Sequence, residues 1–283
     1  MLNPIEGEIF CIDKPLGMTS FAVVKKVRAV LRTHLHTRQV KVGHAGTLDP
    51  LATGVLLLCT GHATKRIDEL QAGVKEYIAD LRLGATTPSY DLETEVDATY
   101  PWQHIDRDLI DRVLHERFTG RIEQVPPSFS ACKVDGKPAY KLARKGQDVE
   151  IRPKTLVIDE IEVMQCGLPA EPTLQLRVVC SKGTYIRALA RDIGEALDSG
   201  AHLTALRRTR VGDVTIDKCL TLDGLVERLD GEEYVSPEQA AAERLERERQ
   251  ENRLRAARQK AQRTRHAAKP AEATAQPRTS QLK

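Results

Sequence analysis

The chain has 283 residues, of which 41% are hydrophobic, 29% charged and 4% aromatic, as is typical of a folded protein with an aliphatic core. No apolar run approaches the roughly 20 residues that a membrane-spanning helix needs, and the N-terminus lacks a signal-peptide pattern, so we expect a cytoplasmic protein. The six cysteines lie far apart without a Cys-x-x-Cys pair, so we expect neither a disulfide framework nor a zinc site.

The net charge of +3 is distributed unevenly along the chain. Residues 241–283 contain 12 basic and 5 acidic residues, a net charge of +7, so the first 240 residues carry a net charge of −4. A main domain with this charge would need a local basic patch to bind a polyanion, because its net charge would not attract one.

The first part of the chain predicts three strands separated by two helices. The strand EIFCID stops at the turn signal KPLG, and we expect Ser20 to cap a helix over FAVVKKVRAVLR, whose apolar residues recur at helical spacing. VLLLCTG is typical of a buried strand, ATKRIDELQAG of a helix ending at glycine, and KEYIADLRLG of a strand with one buried face.

The second part predicts further strands and helices without a regular βαβ period. A helix over DRDLIDRVLHERFTG is capped by Asp106 or a neighbour, and strands lie within TLVIDEIEVMQC and TLQLRVVCSKG. A helix over TYIRALARDIGEALDSG precedes a last strand, TRVGDVTI. This order predicts a mixed α/β (α+β) fold, with helices packed on a mixed sheet.

Two segments depart from this pattern. Residues 124–152 consist of short pieces separated by prolines and glycines, so we expect an excursion from the core. Residues 233–283 are rich in Ala, Glu, Arg and Gln, which favour a helix, but they lack a regular apolar stripe. We therefore predict a main domain over 1–232, followed by a solvated helical tail that frays into a disordered end.

The segment GHAGTLDPLATG, residues 43–54, is the strongest candidate for a functional loop. An isolated Asp-Pro step is usually a turn, but here Asp49 is accompanied by His44, Thr47 and three glycines. We expect the glycines to let a ligand approach the backbone closely.

Common explanations for such a loop do not fit this one. It lacks the Gly-Lys-Ser/Thr of a phosphate-binding loop and the dinucleotide fingerprint, and the chain has no Gly-x-Ser-x-Gly nucleophile elbow. A glycosidase-like pair of carboxylates remains open, although the sequence does not identify a second carboxylate.

Six blocks together closely resemble the TruB family of tRNA pseudouridine synthases. The blocks keep their order over roughly residues 8–225, which makes the resemblance very specific. They are CIDKPLGMTS, KVGHAGTLDPLATGVLLLCTGHATK, KEYIADLRLG, VPPSFSACKVDGKPAYKLARKG, CSKGTYIRALARDIG and AHLTALRRTRVG.

The resemblance implies a pseudouridine synthase fold, with a central, mainly antiparallel sheet, and isomerisation of the T-arm uridine at tRNA position 55. The N-glycosidic bond breaks, the base turns, and C5 joins the ribose. This chemistry requires a nucleophile, a closed pocket and a route for the C5 proton, but no metal or redox cofactor.

The family pattern assigns roles to residues at matching positions. Asp49 falls on the catalytic aspartate, Tyr77 on a tyrosine that packs on the target base and is a candidate for C5 proton transfer, and Arg187 on an arginine that pairs with the aspartate. His44, Tyr185 and Leu206 match positions of the substrate site.

The resemblance also predicts how the RNA is held. We expect residues 124–152 to act as an RNA-clamping insertion, with phosphate contacts that position the RNA without reading its sequence. The predicted contacts are Lys133, Lys137, Lys141, Arg144, Lys145, Arg207, Arg208 and Arg210.

The C-terminal region departs from the family pattern. Many family members carry a small β-rich RNA-binding domain of the PUA type there, whereas residues 233–283 have too few strand signals to build one. We expect a monomer that acts without a guide RNA, and we hypothesise that the +7 tail partly replaces the missing domain by nonspecific attraction to RNA.

Two other functions are compatible with parts of this pattern. A tRNA-folding chaperone would bind the same RNA with incidental or lost catalysis, but would not need Asp49, Tyr77 and Arg187 together. A nucleoside hydrolase would share the carboxylate, but would also need a base that activates water and an exit for uracil.

Overall fold

The protein is described by a computed structural model over residues 1–130, 132–134, 136–139, 142 and 151–267. The chain divides into two compact units, Met1–Tyr234 and Val235–Lys283. The helices are α1 Ser20–His34, α2 Ile67–Ala72, α3 Arg107–Arg117, α4 Ile186–Ala196, α5 Leu222–Gly231 and α6 Pro237–Ala267. The strands are β1 Ile9–Lys14, β2 Val42–Ala45, β3 Ala52–Thr60, β4 Lys75–Leu83, β5 Ala85–Thr86, β6 Ala98–Thr99, β7 Gly120–Gln124, β8 Lys133–Val134, β9 Lys137–Pro138, β10 Lys154–Cys166, β11 Thr173–Cys180, β12 Ala201–Val211, β13 Val214–Thr215 and β14 Leu220–Thr221.

A mixed sheet organises the first unit. In the described part of the chain it has ten strands, with the order β14-β1-β3-β12-β4-β11-β10-β7, while β2 pairs with β3 and β13 with β12. The β1–β14 and β3–β12 pairs are parallel, and the other pairs are antiparallel. The predicted mixed, mainly antiparallel sheet flanked by helices is therefore confirmed.

Strands β3 and β4 differ in burial, as their sequences indicate. Leu56 and Leu58 of β3 join a core cluster with α1 and α5, whereas Val55 and Leu57 belong to a separate cluster. Because neighbouring side chains of a strand point to opposite faces, β3 is buried on both sides. In β4, buried residues alternate with more exposed ones, so only one face packs into the core.

The helices pack on the sheet through their apolar faces. Residues of α3 and α4 join the largest core cluster, with side chains from β4, β10, β11 and β12. Asp106 caps α3 by accepting a hydrogen bond from the backbone N–H of Leu109 at 2.8 Å. The cap of α1 is Thr19, which accepts from the N–H of Ala22 at 3.0 Å, and not Ser20 as predicted. Ser20 instead lies in the first turn, with its hydroxyl directed inward.

The second unit contains α6. Every residue from 241 to 260 is exposed, which agrees with the absence of an apolar stripe. Acidic and basic residues alternate up to Glu251, whereas residues 252–267 contain six Lys or Arg and no Asp or Glu.

Candidate active site

The Asp49 loop connects β2 to β3, two paired strands of the sheet. Gly46 begins the loop with a φ of +92°, and the carbonyl of Asp49 accepts a hydrogen bond from the N–H of Ala52 at 3.1 Å. His44 is on β2 and thus in a strand, where the sequence had suggested a loop.

Two glycines of the segment GHAGTLDPLATG lie in the strands on either side of the loop and contact the protein itself. A Cβ at Gly54, where φ is +103°, would lie 2.1 Å from the backbone oxygen of Arg208. A Cβ at Gly43 would lie 2.8 Å from Cδ1 of Ile67. Close packing against the backbone of β12 therefore requires glycine at Gly54, whereas the contact at Gly43 involves only the end of a flexible side chain.

Arg187, near the start of α4, joins the Asp49 loop to two other segments. Its Nε donates to Oδ2 of Asp49 at 2.9 Å. Its two terminal nitrogens donate to the carbonyls of Ser89 at 3.0 Å and Phe129 at 2.8 Å. Because the side chain of Arg187 is only 5% exposed, these bonds hold a buried cation in one orientation.

Asp91 is a second carboxylate at this arginine, and no sequence motif identifies it. Its Oδ2 lies 3.6 Å from Nε of Arg187, and its side chain is 9% exposed, against 41% for Asp49. The turn-rich segment that contains Asp91 gave no signal for this contact, which joins residues 96 positions apart in the chain.

The environment of Asp49 opposes its ionisation in part. Burial raises the pKa of the Asp49 carboxyl above its usual range, the Arg187 cation lowers that pKa, and the neighbouring charge of Asp91 raises it. Burial is the largest of these effects. The expected pairing with Arg187 is present, but it does not outweigh the burial of the carboxyl.

A pocket of about 280 Å³ opens beside Asp49 and Arg187. Tyr77 of β4, Tyr185 just before α4 and Leu206 of β12 line the same pocket. The structure thus brings together five of the six residues that the resemblance placed in the catalytic or substrate site. His44 is not among the described residues that line this pocket.

Tyr77 and Arg208 are paired residues on neighbouring strands, and both line the pocket. Tyr77 is 8% exposed, and burial raises the pKa of its phenol, although the Arg208 cation partly offsets this. Arg208 is itself 2% exposed and donates to the carbonyls of Val55 at 2.8 Å and Gly46 at 3.1 Å. Arg208 is one of the predicted phosphate contacts, and in the structure its guanidinium is buried and bonded to backbone carbonyls.

Tyr185 and His44 differ in their hydrogen bonding. The N–H of Tyr185 donates to Oε1 of Gln124 at 2.9 Å, which ties the start of α4 to β7. Nδ1 of His44 is buried and has no hydrogen-bond partner among the described residues. Burial and the nearby Arg208 cation lower the pKa of His44, so its imidazole is neutral at pH 7.

Two buried lysines border the site, and neither was among the site residues predicted from the sequence. Lys14 is fully buried at the end of β1, and Lys75 is 6% exposed at the start of β4, where it lines the pocket. Burial lowers the pKa of each amine to about 8. Both residues stand inside sequence blocks that resemble the family, but neither block reveals that its lysine is buried.

The predicted phosphate contacts occupy several environments. Arg207 forms an ion pair with Asp13 at 2.7 Å, and Arg210 lies 3.8 Å from Oε2 of Glu76, both with partly exposed side chains. Lys133 and Lys137 are on the paired strands β8 and β9. Lys141, Arg144 and Lys145 lie outside the described residues.

The described residues contain neither a metal-binding cluster nor a membrane-spanning helix. No group of three or more His, Cys, Asp or Glu side chains could hold a metal ion there. None of the helices described is long and apolar enough to cross a membrane.

The chain matches two family models that adjoin at Arg187. Residues 32–186 match the N-terminal domain of the TruB family pseudouridylate synthases, and residues 187–247 match the C-terminal domain of tRNA pseudouridylate synthase B. The chain belongs to the TruB family. The boundary between the two matches falls within the Asp49 site, so both parts contribute to this TruB pocket.

Relatives and solved structures agree with this membership. The chain is 64% identical to tRNA pseudouridine synthase B of Phocaeicola vulgatus over 82% of this chain and 97% of the relative. It is 62% identical to the protein of the same name from Bacteroides thetaiotaomicron, over 84% and 99%. A chain of a Cbf5–Nop10–Gar1 complex superposes with a TM-score of 0.58 at 30% identity, over 82% of this TruB chain and 58% of that one.

Proposed function

We propose that this protein is a tRNA pseudouridine synthase that isomerises the T-arm uridine at position 55, as a monomer and without a guide RNA. One observation carries the proposal: Asp49, paired with Arg187, lies at a pocket lined by Tyr77, Tyr185 and Leu206, in a chain 64% identical to a tRNA pseudouridine synthase B. Identity over nearly the whole length of that relative supports the same reaction on the same class of RNA.

In this proposal Asp49 is the nucleophile. Its side chain is 41% exposed and lines the pocket, so it is open to a nucleotide that has turned out of the RNA. The Arg187 ion pair holds one oxygen of the carboxylate and favours its charged form. The C1′–N1 bond breaks, the uracil turns within the pocket, and a C1′–C5 bond forms while the C5 proton leaves and N1 gains one. The bond that Asp49 forms in its attack is broken again before release, so the product is an isomer of the substrate.

Two tyrosines and a leucine would hold the base. Stacking on an aromatic side chain contributes about 1–3 kcal/mol per base, comparable to the cost of flipping a nucleotide. Tyr77 and Tyr185 supply the rings, and Leu206 closes an apolar wall. Because burial raises the pKa of Tyr77, we propose that it stays a neutral phenol, packs on the base and relays the C5 proton.

Tritium release would test the reaction. An unmodified tRNA transcript tritiated at C5 of its uridines is incubated with the purified protein alone, with Asp49→Asn, and with Asp108→Asn, which changes an exposed aspartate on α3. We expect release from one T-arm uridine with the wild type and Asp108→Asn, and none with Asp49→Asn despite unchanged tRNA binding. Tight binding without release by the wild type would favour a chaperone, and free uracil in the product would favour a hydrolase.

We also propose that the basic half of α6 adds nonspecific affinity for tRNA. Residues 252–267 have a net charge of +6, and the side chains of Arg253, Arg255 and Arg258 are exposed. A polyanion is the partner that such a surface fits, because α6 has no apolar stripe for a protein partner.

Salt dependence separates this role of α6 from catalysis. Changing Arg253, Arg255 and Arg258 to Gln would weaken tRNA binding. The negative slope of log K, the association constant for tRNA, against log salt concentration would become shallower by about one for each phosphate that is no longer neutralised. Changing Glu243, Glu246 and Glu248 to Gln is the matched control and would not make that slope shallower. An unchanged affinity and slope in the arginine variant would contradict the proposed role of these three arginines in RNA binding.

A further inference from the structure

One hydroxyl binds both backbone polar groups of Leu48, the residue before Asp49. Oγ of Ser20 accepts from the N–H of Leu48 at 2.8 Å and donates to its carbonyl at 3.0 Å. Ser20 is 1% exposed and Leu48 is 4% exposed. The pair of bonds is shielded from water, and it connects residues 28 positions apart in the chain.

The residue after Asp49 is held from the same segment of the chain. The N–H of Gly17 donates to the carbonyl of Pro50 at 2.9 Å. Nζ of Lys14 lies 3.4 Å from the same carbonyl and also donates to the carbonyls of Pro15 and Met18 at 2.8 and 2.6 Å. Lys14, Gly17 and Ser20 therefore fix the backbone on both sides of Asp49.

Backbone placement matters here because Arg187 does not fix Asp49 by itself. Nε of Arg187 donates one hydrogen bond to a single carboxylate oxygen of Asp49, whose side chain is still 41% exposed. One such bond leaves the carboxylate free to turn about it. A displacement of about 1 Å at a reacting group can cost about a hundredfold in rate.

We propose that Ser20 is a positioning residue that places the Asp49 carboxylate for attack, an inference that rests on the proposed function. Ser20 is not among the described residues that line the pocket, and it acts through the peptide of Leu48. The alternative is that Ser20 only stabilises the start of α1. The two roles differ in what they change: positioning alters the chemical step, whereas helix stability alters the folded fraction.

Thr19 provides a matched control in the same turn of α1. Its hydroxyl caps the helix by accepting from the N–H of Ala22, a bond within the helix that does not involve the Asp49 loop. Thr19→Ala should therefore lower the melting temperature without slowing the reaction. Ser20→Cys is a second test variant, since it nearly conserves volume while a thiol is a weak hydrogen-bond donor and acceptor.

The experiment measures single-turnover tritium release at saturating tRNA, together with the tRNA Kd and thermal unfolding. We expect Ser20→Ala and Ser20→Cys to slow release about ten- to a hundredfold with Kd changed less than about twofold, and Thr19→Ala to keep the wild-type rate. If Ser20→Ala does not fold, the comparison of Ser20→Cys with Thr19→Ala decides.

Each other result counts against the proposal. A wild-type rate in the folded Ser20 variants, or an equal slowing in Thr19→Ala, would overturn the positioning role while leaving the proposed function intact. A wild-type protein that releases no tritium would overturn the proposed function and this inference with it.

Discussion

Arg187 lies between two carboxylates, with its Nε 2.9 Å from Oδ2 of Asp49 and 3.6 Å from Oδ2 of Asp91. One cation is thus shared between an accessible carboxylate and a buried one. Arg187 lowers the pKa of Asp49, while burial and Asp91 raise it. The pKa of Asp49 therefore depends on this shared contact.

Replacing Arg187 should move the acid limb of the pH–rate profile to higher pH. In Arg187→Gln the cation that lowers the pKa of Asp49 is gone, while burial and Asp91 still raise it. Since attack needs the ionised carboxylate, the pH of half-maximal rate should rise. This shift should be larger than the one caused by replacing Asp91, because the Arg187 charge has a larger effect on the pKa of Asp49 than the Asp91 charge has. Single-turnover release between about pH 4.5 and 8.5 measures this shift, and thermal unfolding identifies the stability lost with a buried cation. An acid limb that stays in place would contradict the proposed role.

Replacing Asp91 should have the opposite effect on the acid limb. Asp91→Asn removes a negative charge that raises the pKa of Asp49, so the pH of half-maximal rate should fall. Asparagine can still accept the hydrogen bond that Oδ1 of Asp91 receives from the N–H of Glu93. Glu93→Gln is the control, because Glu93 is the smallest of the causes that raise this pKa. A larger shift with Glu93→Gln than with Asp91→Asn would refute this account.

The sequence predicted the regular elements well where burial follows a simple period. KEYIADLRLG alternates and forms β4, and the apolar run VLLLCTG lies in β3, which is buried on both faces. The segment AHLTALRR was not identified as a strand, although it forms most of β12. The pairing of β12 with β4 shifts register between Leu203 and Ala205 and between Arg208 and Arg210, so its burial follows no regular alternation.

The site was predictable only as far as the family pattern reaches. Asp49, Tyr77 and Arg187 were identified by matching blocks, and the structure places all three at one pocket. The positions of Asp91 and Ser20 and the buried state of Arg208 depend on contacts between residues distant in the chain, which no local period encodes.

Removing the Tyr77 hydroxyl should slow the reaction without weakening binding. Burial raises the pKa of the phenol, so Tyr77 is neutral at pH 7 and its ring can stack equally well in Tyr77→Phe. Loss of a proton relay is expected to cost about a hundredfold in single-turnover rate, with the tRNA Kd unchanged. An unaltered rate in Tyr77→Phe would assign Tyr77 a stacking role alone.

Adding a methyl group at Gly54 should destabilise the fold far more than at Gly120. Both glycines have positive φ, +103° and +83°, but a Cβ at Gly54 would lie 2.1 Å from the backbone oxygen of Arg208, whereas none of the described atoms lies within 4 Å of a Cβ at Gly120. Gly120→Ala should cost about 1–2 kcal/mol from backbone strain alone. Gly54→Ala adds an overlap between β3 and β12, so we expect a larger loss of unfolding free energy in urea. Equal losses in the two variants would contradict the packing seen between these strands.

Lys14 should make stability depend on pH above 8. Burial lowers its pKa from 10.5 to about 8, although the charge of Asp49 partly offsets this. Below pH 8 both the folded and unfolded states hold the proton. Between about pH 8 and 10.5 the unfolded chain still holds a proton that the folded protein has released, so the contribution of Lys14 to stability rises with pH in this window.

Comparison with Lys14→Met isolates this contribution, because Lys75 and the buried cysteines are the same in both proteins. The unfolding free energy of the wild type relative to Lys14→Met should increase by up to about 3 kcal/mol between about pH 8 and 10.5, measured by urea unfolding at each pH. Lys65→Met, at an exposed lysine, is the control and should show no such increase. A difference between the wild type and Lys14→Met that stays constant or shrinks with rising pH would mean that Lys14 is not held in this buried, carbonyl-lined position beside the Asp49 loop.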